Sequence, residues 1–513
     1  MPISISSDEV QLPRAARSFF RVEMLRVPVL LLLFSWAGIC EAYHLTALRD
    51  YDIWWHLRTG IWILHNHAVP HTALFTQYLE RSWIAYSWGF DVLTAIFNKL
   101  FGLRGLPILQ VCLKAAFAVM AFFLARGSFR SFLPAAFLSA IGQYAITDFK
   151  VRPGSLSILL LGIVLIVLFE VRRTQTVRNL LWLPPLFVLW ANLHIQFVYG
   201  LFVMGLFAAV VLLESVARRL RTNWLASQMP PLNTAHVIAV TGACGLATLI
   251  TPYTYHTYQV AWQYAHSTAV YDYILEMRAM NFHWPEHYVR LLLVMAACFA
   301  LGQRRSRNLF AIALLAISAL VGFHQQRDTW FMVLVSIAAI GDAYLAEKQA
   351  QHEASPDLPW EKLIAASLVV LLLIASIVRY IPSNQESLLA KVGEVFPVKA
   401  CDAISRNHLP PTIFNPLNWG GFLTWYLPDY PVAIDGRTDL YGDEITIRQY
   451  KVWDGELPPS KEPTLVHART LLLGSRTGLA EALRETPGYR LVYDDGMAAV
   501  FERMVGPDIG TPQ

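Results

Sequence analysis

The chain has 513 residues, 55% of them hydrophobic and 15% charged, with a mean hydropathy of +0.41, a composition that excludes an ordinary soluble domain and points to the membrane. The formal net charge of +4 does not carry a nucleic-acid reading, because most Lys and Arg stand in short blocks between apolar runs, as topology signals do. Cys40, Cys112, Cys244 and Cys298 lie inside apolar runs and only Cys401 lies in a polar region, which argues against a disulfide framework.

In chain order, residues 1–25 form a cytoplasmic N-terminal segment. It is too long and too acidic for the head of a secretory signal, and no small-residue cleavage site follows the first apolar run, so that run is expected to stay as an anchor. Residues 26–381 are expected to form a polytopic helix bundle. Apolar runs at 26–44, 105–126, 131–148, 155–171, 180–196, 198–216, 234–252, 287–303, 308–323, 328–346 and 361–381 suit membrane helices of roughly 17–25 residues, about eleven spans in all.

Basic blocks orient the spans. Arg14, Arg17 and Arg21, Arg126 and Arg130, Arg172, Arg173 and Arg178, Arg218, Arg219 and Arg221, and Arg304, Arg305 and Arg307 fall on one side if the spans alternate, which places the N-terminus in the cytoplasm. Three pieces then face the outside: 45–104, 253–286 and 382–513.

In the first outer loop, "DIWWHLRTGIWILHN" and "SWGFDVLTAIFNKLFG" carry apolar residues at helical spacing with several Trp, the pattern of amphipathic helices lying in the interface around a surface cavity. The tail, 382–513, alternates β-type runs ("YPVAID", "TLLLG", "YRLVYDDGMAAVFER") with helix-like stretches such as "SRTGLAEALRET". It reads as a small soluble α/β domain for recognition or packing. The fold class expected is therefore mainly α, a transmembrane bundle with an extracytoplasmic α/β tail.

Asp50 and Asp52 stand just past the first span, where a carboxylate pair can face a surface cavity and either bind a divalent cation or accept a hydroxyl proton. The same spacing is open to a plainer role: Asp50 capping a helix from Tyr51, with Asp52 adding charge to its first turn. Lys150 and Arg152 sit at an outer span end before Pro153, where they either anchor lipid headgroups or bind a phosphate. "WANLH" brings Trp190, Asn192 and His194 to the end of another span, for a helix-to-helix hydrogen-bond network or a donor-facing site. In "HQQRD", His324 to Asp328, Arg327 is either a phosphate ligand or the partner of Asp328. In the tail, Asp435, Arg437 and Asp439 form either a salt-linked turn or a sugar-acceptor site. Zinc, Walker, dinucleotide and nucleophile-elbow spacings are absent from the tail.

An acidic pair at the outer end of the first span, interfacial helices in the first outer loop and a many-span body resemble the GT-C superfamily of polyprenyl-phosphate-sugar-dependent glycosyltransferases. More narrowly, "DYDIWWHLRTGIWILHNHAVPHT", "KVRPGSLSILL", "LWANLHIQFVYG", "TPYTYHTYQ" and "NWGGFLTWYLPDYPVAIDGRTDLYG" are similar to a group of bacterial membrane proteins of that type. The resemblance implies a seven-span core, a lipid-phosphate sugar donor entering between helices, and a bacterial inner-membrane location. It implies that Asp50 or Asp52 acts as base or as ligand of a divalent cation such as Mg or Mn. His56, one helical turn beyond Asp52, would meet the same ligand, and Arg152 and Arg327 would neutralise the leaving phosphate of an inverting transfer.

Two departures from that group motivate a rival. Ala73 follows "VPHT" where relatives carry an acid, and Tyr86, Ser87 and Trp88 stand where a His-Glu-Trp sequence is common. Asp91 either compensates or belongs to a solvated face. The rival is a GT-C-like membrane protein without turnover that binds lipid-linked glycan or a partner. A transporter is disfavoured by the lack of inverted repeats and of ionisable residues in the middle of several spans.

Overall fold

The computed structural model describes residues 36, 38–126, 131–147, 149–220, 232–267, 273, 275–345 and 371–504. The first expected span, 26–44, and the last, 361–381, lie partly outside the described residues. The body is helical: α1 Ile53–Asn66, α2 Trp88–Phe101, α3 Gly105–Leu124, α4 Phe132–Ala145, α5 Pro153–Thr174, α6 Leu183–Leu193, α7 Phe197–Arg219, α8 Thr234–Ala247, α9 His256–His266, α10 Pro285–Gln303, α11 Leu309–His324 and α12 Thr329–Ile340.

Four helices among the described residues are long and apolar enough to cross a membrane: Trp88–Leu124, in which a short 3-10 turn joins α2 to α3, then α5, α7 and α10. The expected count of about eleven is not reached on that criterion, because several apolar runs break into shorter helices. The run 180–196 divides into a 3-10 turn, Val177–Trp182, and α6, which carries Pro at its first turn, where a proline's missing N–H costs nothing. α12 is buried along almost its whole length, a central helix rather than a lipid-facing one.

Two arginines of the basic blocks, Arg126 and Arg172, also hold ion pairs with residues of other helices. Buried Arg172 makes a two-pronged contact with Glu214, and Arg126 joins Glu170 to Asp342.

In the loop 45–104, α1 and α2 form as predicted and pack on each other, and Ile53, Trp54, Trp55, His56 and Leu57 are all buried. What covers α1 is the tail. Trp54 meets Phe396, Phe422 and Trp425 with ring centroids 5.7, 5.4 and 4.6 Å apart. Gln77 N–H donates to Val432 C=O, and Val432 N–H donates to Phe75 C=O, both at 3.0 Å, a strand-like stitch between loop and tail.

The tail is α/β. α13 Val398–Arg406 precedes β1 Ile413–Phe414, α14 Leu417–Tyr426 and α15 Thr438–Trp453, then come β2 Thr470–Gly474, α16 Gly478–Glu485, β3 Tyr489–Asp494 and β4 Ala498–Arg503. The sheet order is β1-β2-β4-β3, with β1 parallel to β2 and the other pairs antiparallel. "YPVAID" is not a strand: only Val432 bridges, to Thr76 and Ile413. Its backbone bends instead at Ala433 and Gly436, and Gly436 comes against Asp52 of the acidic loop.

Candidate functional site

Pro153 forces the residue before it to be extended, and Arg152 has φ −133° and ψ 156°. That conformation carries its side chain across to the acidic pair. Asp50, 5% exposed, accepts from Arg152 Nε at 2.7 Å with one oxygen and from the Asp52 N–H at 2.9 Å with the other. Arg152 also reaches Asp52 Oδ2 through a terminal nitrogen at 3.2 Å. The helix starts at Ile53, later than the capping reading places it, and its N-cap residue Asp52 makes no side-chain cap bond, so Asp50 divides its oxygens between the Asp52 N–H just before the helix and Arg152. Burial works against the charge on Arg152, but Asp52, Asp50 and Glu276 outweigh it and hold its pKa above the ordinary guanidinium value.

A cavity of about 530 Å³ opens over this clamp. Asp52, His56, Lys150, Arg152, His194 and Arg327 all line it; Asp50 does not, being sealed behind Arg152. Burial pushes the Asp52 carboxyl above the usual range, and Asp50 and Glu276 add to the push while Arg152 opposes it. Arg327 stands on the 3-10 turn Gln326–Asp328 between α11 and α12 and points into the cavity with no partner among the described residues. Asp328, the partner weighed for it, is engaged by the Tyr199 hydroxyl. Burial works against the Arg327 charge, yet Tyr264, Asp328, Glu276 and Tyr86 together raise its pKa. A half-buried guanidinium that no hydrogen bond or ion pair holds among the described residues is a site for an anion.

The two cavity histidines are each fixed by one ring nitrogen. His56 Nδ1 lies 2.6 Å from Asp91 Oδ1, and Asp91 is fully buried, which removes the solvated-face alternative for that residue. The close crossing of α1 and α2 makes this contact: a Cβ on Gly60 would sit 1.9 Å from the Asp91 carbonyl oxygen. His194 Nδ1 lies 2.9 Å from Ser157 Oγ, which also accepts from Trp190 Nε1 at 2.8 Å. Asn192 is taken up by Trp88 Nε1 and by the Val188 and Ile250 carbonyls. Of the "WANLH" polar groups, His194 alone lines the cavity.

The tail closes one side. Asp435 and Arg437 form a buried pair, with Arg437 also donating to the Leu74 carbonyl at 2.8 Å, so this motif is a salt-linked turn and not an exposed acceptor site. Asp439 accepts from Trp83 Nε1 and from the Tyr264 hydroxyl, each at 3.2 Å, and Tyr86 lies 3.2 Å beyond Tyr264. Burial pushes Asp439 up to about 6, against the pull of Arg437. Gly436 and Thr438 line the cavity beside these groups.

Sequence reasoning missed Glu276, Gly436 and Tyr264, and with Tyr264 the chain that links Tyr86 to Asp439. They come from segments far apart in sequence, and only the density of Tyr, Trp and His in the outer pieces hinted at them. The cation expected at Asp50 and Asp52 finds a poor donor set. Both oxygens of Asp50 already have donors, Asp52 faces Arg152, and no three His, Cys, Asp or Glu among the described residues converge.

No protein-family model and no curated protein matches the chain. Among solved structures it is similar to ArnT from Cupriavidus metallidurans bound to undecaprenyl phosphate, at 12% identity and a TM-score of 0.46 over 95% of this chain and 99% of that one. It is also similar to ArnT from Cupriavidus metallidurans in the apo state, at 14% identity and a TM-score of 0.48 over 96% and 100%. At these identities and scores the likeness adds nothing to the site's own geometry.

Proposed function

We propose that the chain is a membrane transferase that moves a glycosyl group from a polyprenyl-phosphate donor to a hydroxyl of a lipid, glycan or protein acceptor, with the cavity on the outer face of a bacterial inner membrane. The observation that carries this reading is the convergence of Arg152 and Arg327 on one cavity whose wall also holds Asp52 and His56. Two guanidiniums suit the phosphate of a lipid-linked sugar, and the nearby carboxylate and imidazole suit the incoming hydroxyl.

In the step, a base on the cavity wall takes the acceptor's proton and the freed oxygen attacks the anomeric carbon. The bond from that carbon to the phosphate oxygen breaks, and the electron pair leaves with the phosphate. Arg152 and Arg327 offset the charge that grows there, which is where fixed positive groups lower a barrier most. One in-line displacement inverts the anomeric centre. No step passes through a cation, because the acidic pair already serves Arg152.

The binding-protein alternative rests on Ala73 and Ser87. Ala73 is buried among Trp83, Ala85 and Tyr253 and does not line the cavity, while the Ser87 hydroxyl stands 3.5 Å from Asp91. An acid is thus present next to position 87, on Asp91, which weakens that motive. The test is transfer from labelled polyprenyl-phosphate sugars by the full chain in proteoliposomes, with and without Mg or Mn. Wild-type transfer that falls sharply in Arg327→Gln supports the reading; retained lipid binding with no transfer across a broad donor and acceptor panel favours the alternative.

A further inference from the structure

Hydrogen-bond partners set the two cavity histidines to opposite tasks. Ser157 Oγ accepts from the Trp190 N–H and has its own hydroxyl proton available for His194 Nδ1; in that arrangement the ring proton sits on His194 Nε2, which is then a donor. An ionised Asp91 can only accept, and in that state His56 Nδ1 carries the proton of the pair and Nε2 keeps its lone pair; a protonated Asp91 would give its proton to Nδ1 and reverse the tautomer. His56 lines the cavity, and Nε2 is the nitrogen not spent on Asp91.

Asp91 is costly if its role is only structural. It is fully buried, and its second oxygen has no partner among the described residues. A buried carboxylate left half-satisfied destabilises a fold, and an imidazolium formed beside it in a reaction would repay that cost. Asp52, by contrast, already faces a guanidinium at 3.2 Å.

We propose that His56, oriented by Asp91, is the base that takes the acceptor's hydroxyl proton, while Asp52 serves as counter-ion to Arg152. This rests on the transferase reading above. The proton moves from the acceptor oxygen to His56 Nε2, that oxygen bonds the anomeric carbon, and the carbon–oxygen bond to the phosphate breaks with its electron pair. Asp91 accepts from Nδ1–H throughout and stabilises the imidazolium, so Asp91 is a positioning residue. The charged and titratable groups around the ring are Asp91 from α2, Arg152 before α5, His194 after α6 and Arg437 from the tail. Burial holds the His56 pKa well below the usual imidazole value, and Arg152, His194 and Arg437 add to that, so the free base is the resting form.

The experiment uses the full chain in proteoliposomes with a polyprenyl-phosphate hexose and a hydroxyl acceptor. His56→Ala is expected to lower kcat by about 10²–10⁴ with the donor KM unchanged, and added imidazole should restore part of the rate. Asp91→Asn should lower kcat and move the acid limb of the pH profile to lower pH, since the imidazolium loses its partner. A second reading is independent of turnover: the ¹⁵N signals of His56, assigned by their loss in His56→Gln, should show the neutral Nδ1–H tautomer at neutral pH. Full activity in His56→Ala, or an Nε2–H tautomer, overturns this assignment alone. A wild-type chain that transfers nothing while showing the Nδ1–H tautomer overturns the transferase reading on which it stands.

Discussion

Gly436 lies directly against Asp52: a Cβ at position 436 would sit 2.1 Å from Asp52 Oδ1 and 3.3 Å from Trp55 Nε1. The tail is therefore fitted to the acidic loop atom by atom, and a single methyl group at this position has a directed consequence. Gly436→Ala should push the Asp52 carboxylate off Arg152 and lower transfer at least tenfold, with little change in melting temperature, because a carboxylate tip can move.

Gly420 and Gly421 offer the contrast. Their added Cβ atoms would meet backbone, the Ile434 carbonyl oxygen at 1.9 Å and the Tyr51 carbonyl oxygen at 2.7 Å. Backbone cannot step aside cheaply, so Gly420→Ala and Gly421→Ala should each destabilise by about 1–3 kcal/mol, the usual cost of overpacking. Thermal melts in detergent distinguish this from the Gly436 effect, and an unchanged melt for Gly420→Ala would contradict the docking described.

The Arg152 clamp predicts unequal roles for the two aspartates. Asp50→Ala leaves the partly exposed Arg152 with Asp52 as its remaining carboxylate and should cost about 1–3 kcal/mol, less than the loss of one partner from a fully buried pair. Arg152→Lys keeps the charge but loses the fork that reaches both carboxylates through Nε and a terminal nitrogen, so affinity for a polyprenyl phosphate should fall by tenfold or more. Equal affinity in the lysine variant would remove the clamp from the account.

Asp439 makes stability depend on pH. Its folded pKa of about 6 lies above the ordinary aspartate value of 3.8, so the folded chain binds the extra proton between those values. Stability should therefore fall as pH rises from about 4 to 6 and level off above, a loss on the order of 1–3 kcal/mol. Asp439→Asn should flatten that slope and raise the melting temperature at pH 7.5. A variant melting lower than wild type at pH 7.5 would mean that the bonds from Trp83 and Tyr264 outweigh the buried charge.

Much of the site was legible in the sequence because short-range rules placed it. Asp52 of the acidic pair after an apolar run, His56 one turn on, and basic residues fixed by Pro153 or by the turn at Gln326 all reach the same cavity. The division of labour was not legible. Whether Asp50 faces the cavity depends on Arg152, which is 102 residues away in sequence. The partner of His56 depends on the crossing of α1 and α2 at Gly60. The tail's hairpin and "TLLLG" strand followed from β-type runs, but its docking did not, since no local pattern says that Val432 will pair with Phe75 and Gln77. The two helices of the loop 45–104 were legible, but the packing of the tail on Trp54 was not, because tryptophans suited to a lipid interface are equally suited to burial beneath a packed tail.

The central claim is that Arg152 and Arg327 hold the phosphate of a lipid donor in this cavity, and equilibrium binding to the full chain in nanodiscs tests it most directly. Wild type should bind a polyprenyl phosphate at least tenfold more tightly than the corresponding neutral alcohol, a difference of about 1.4 kcal/mol or more, and Arg327→Gln should abolish that preference. Equal affinity for phosphate and alcohol in the wild type, or a preference untouched by Arg327→Gln, would contradict the account.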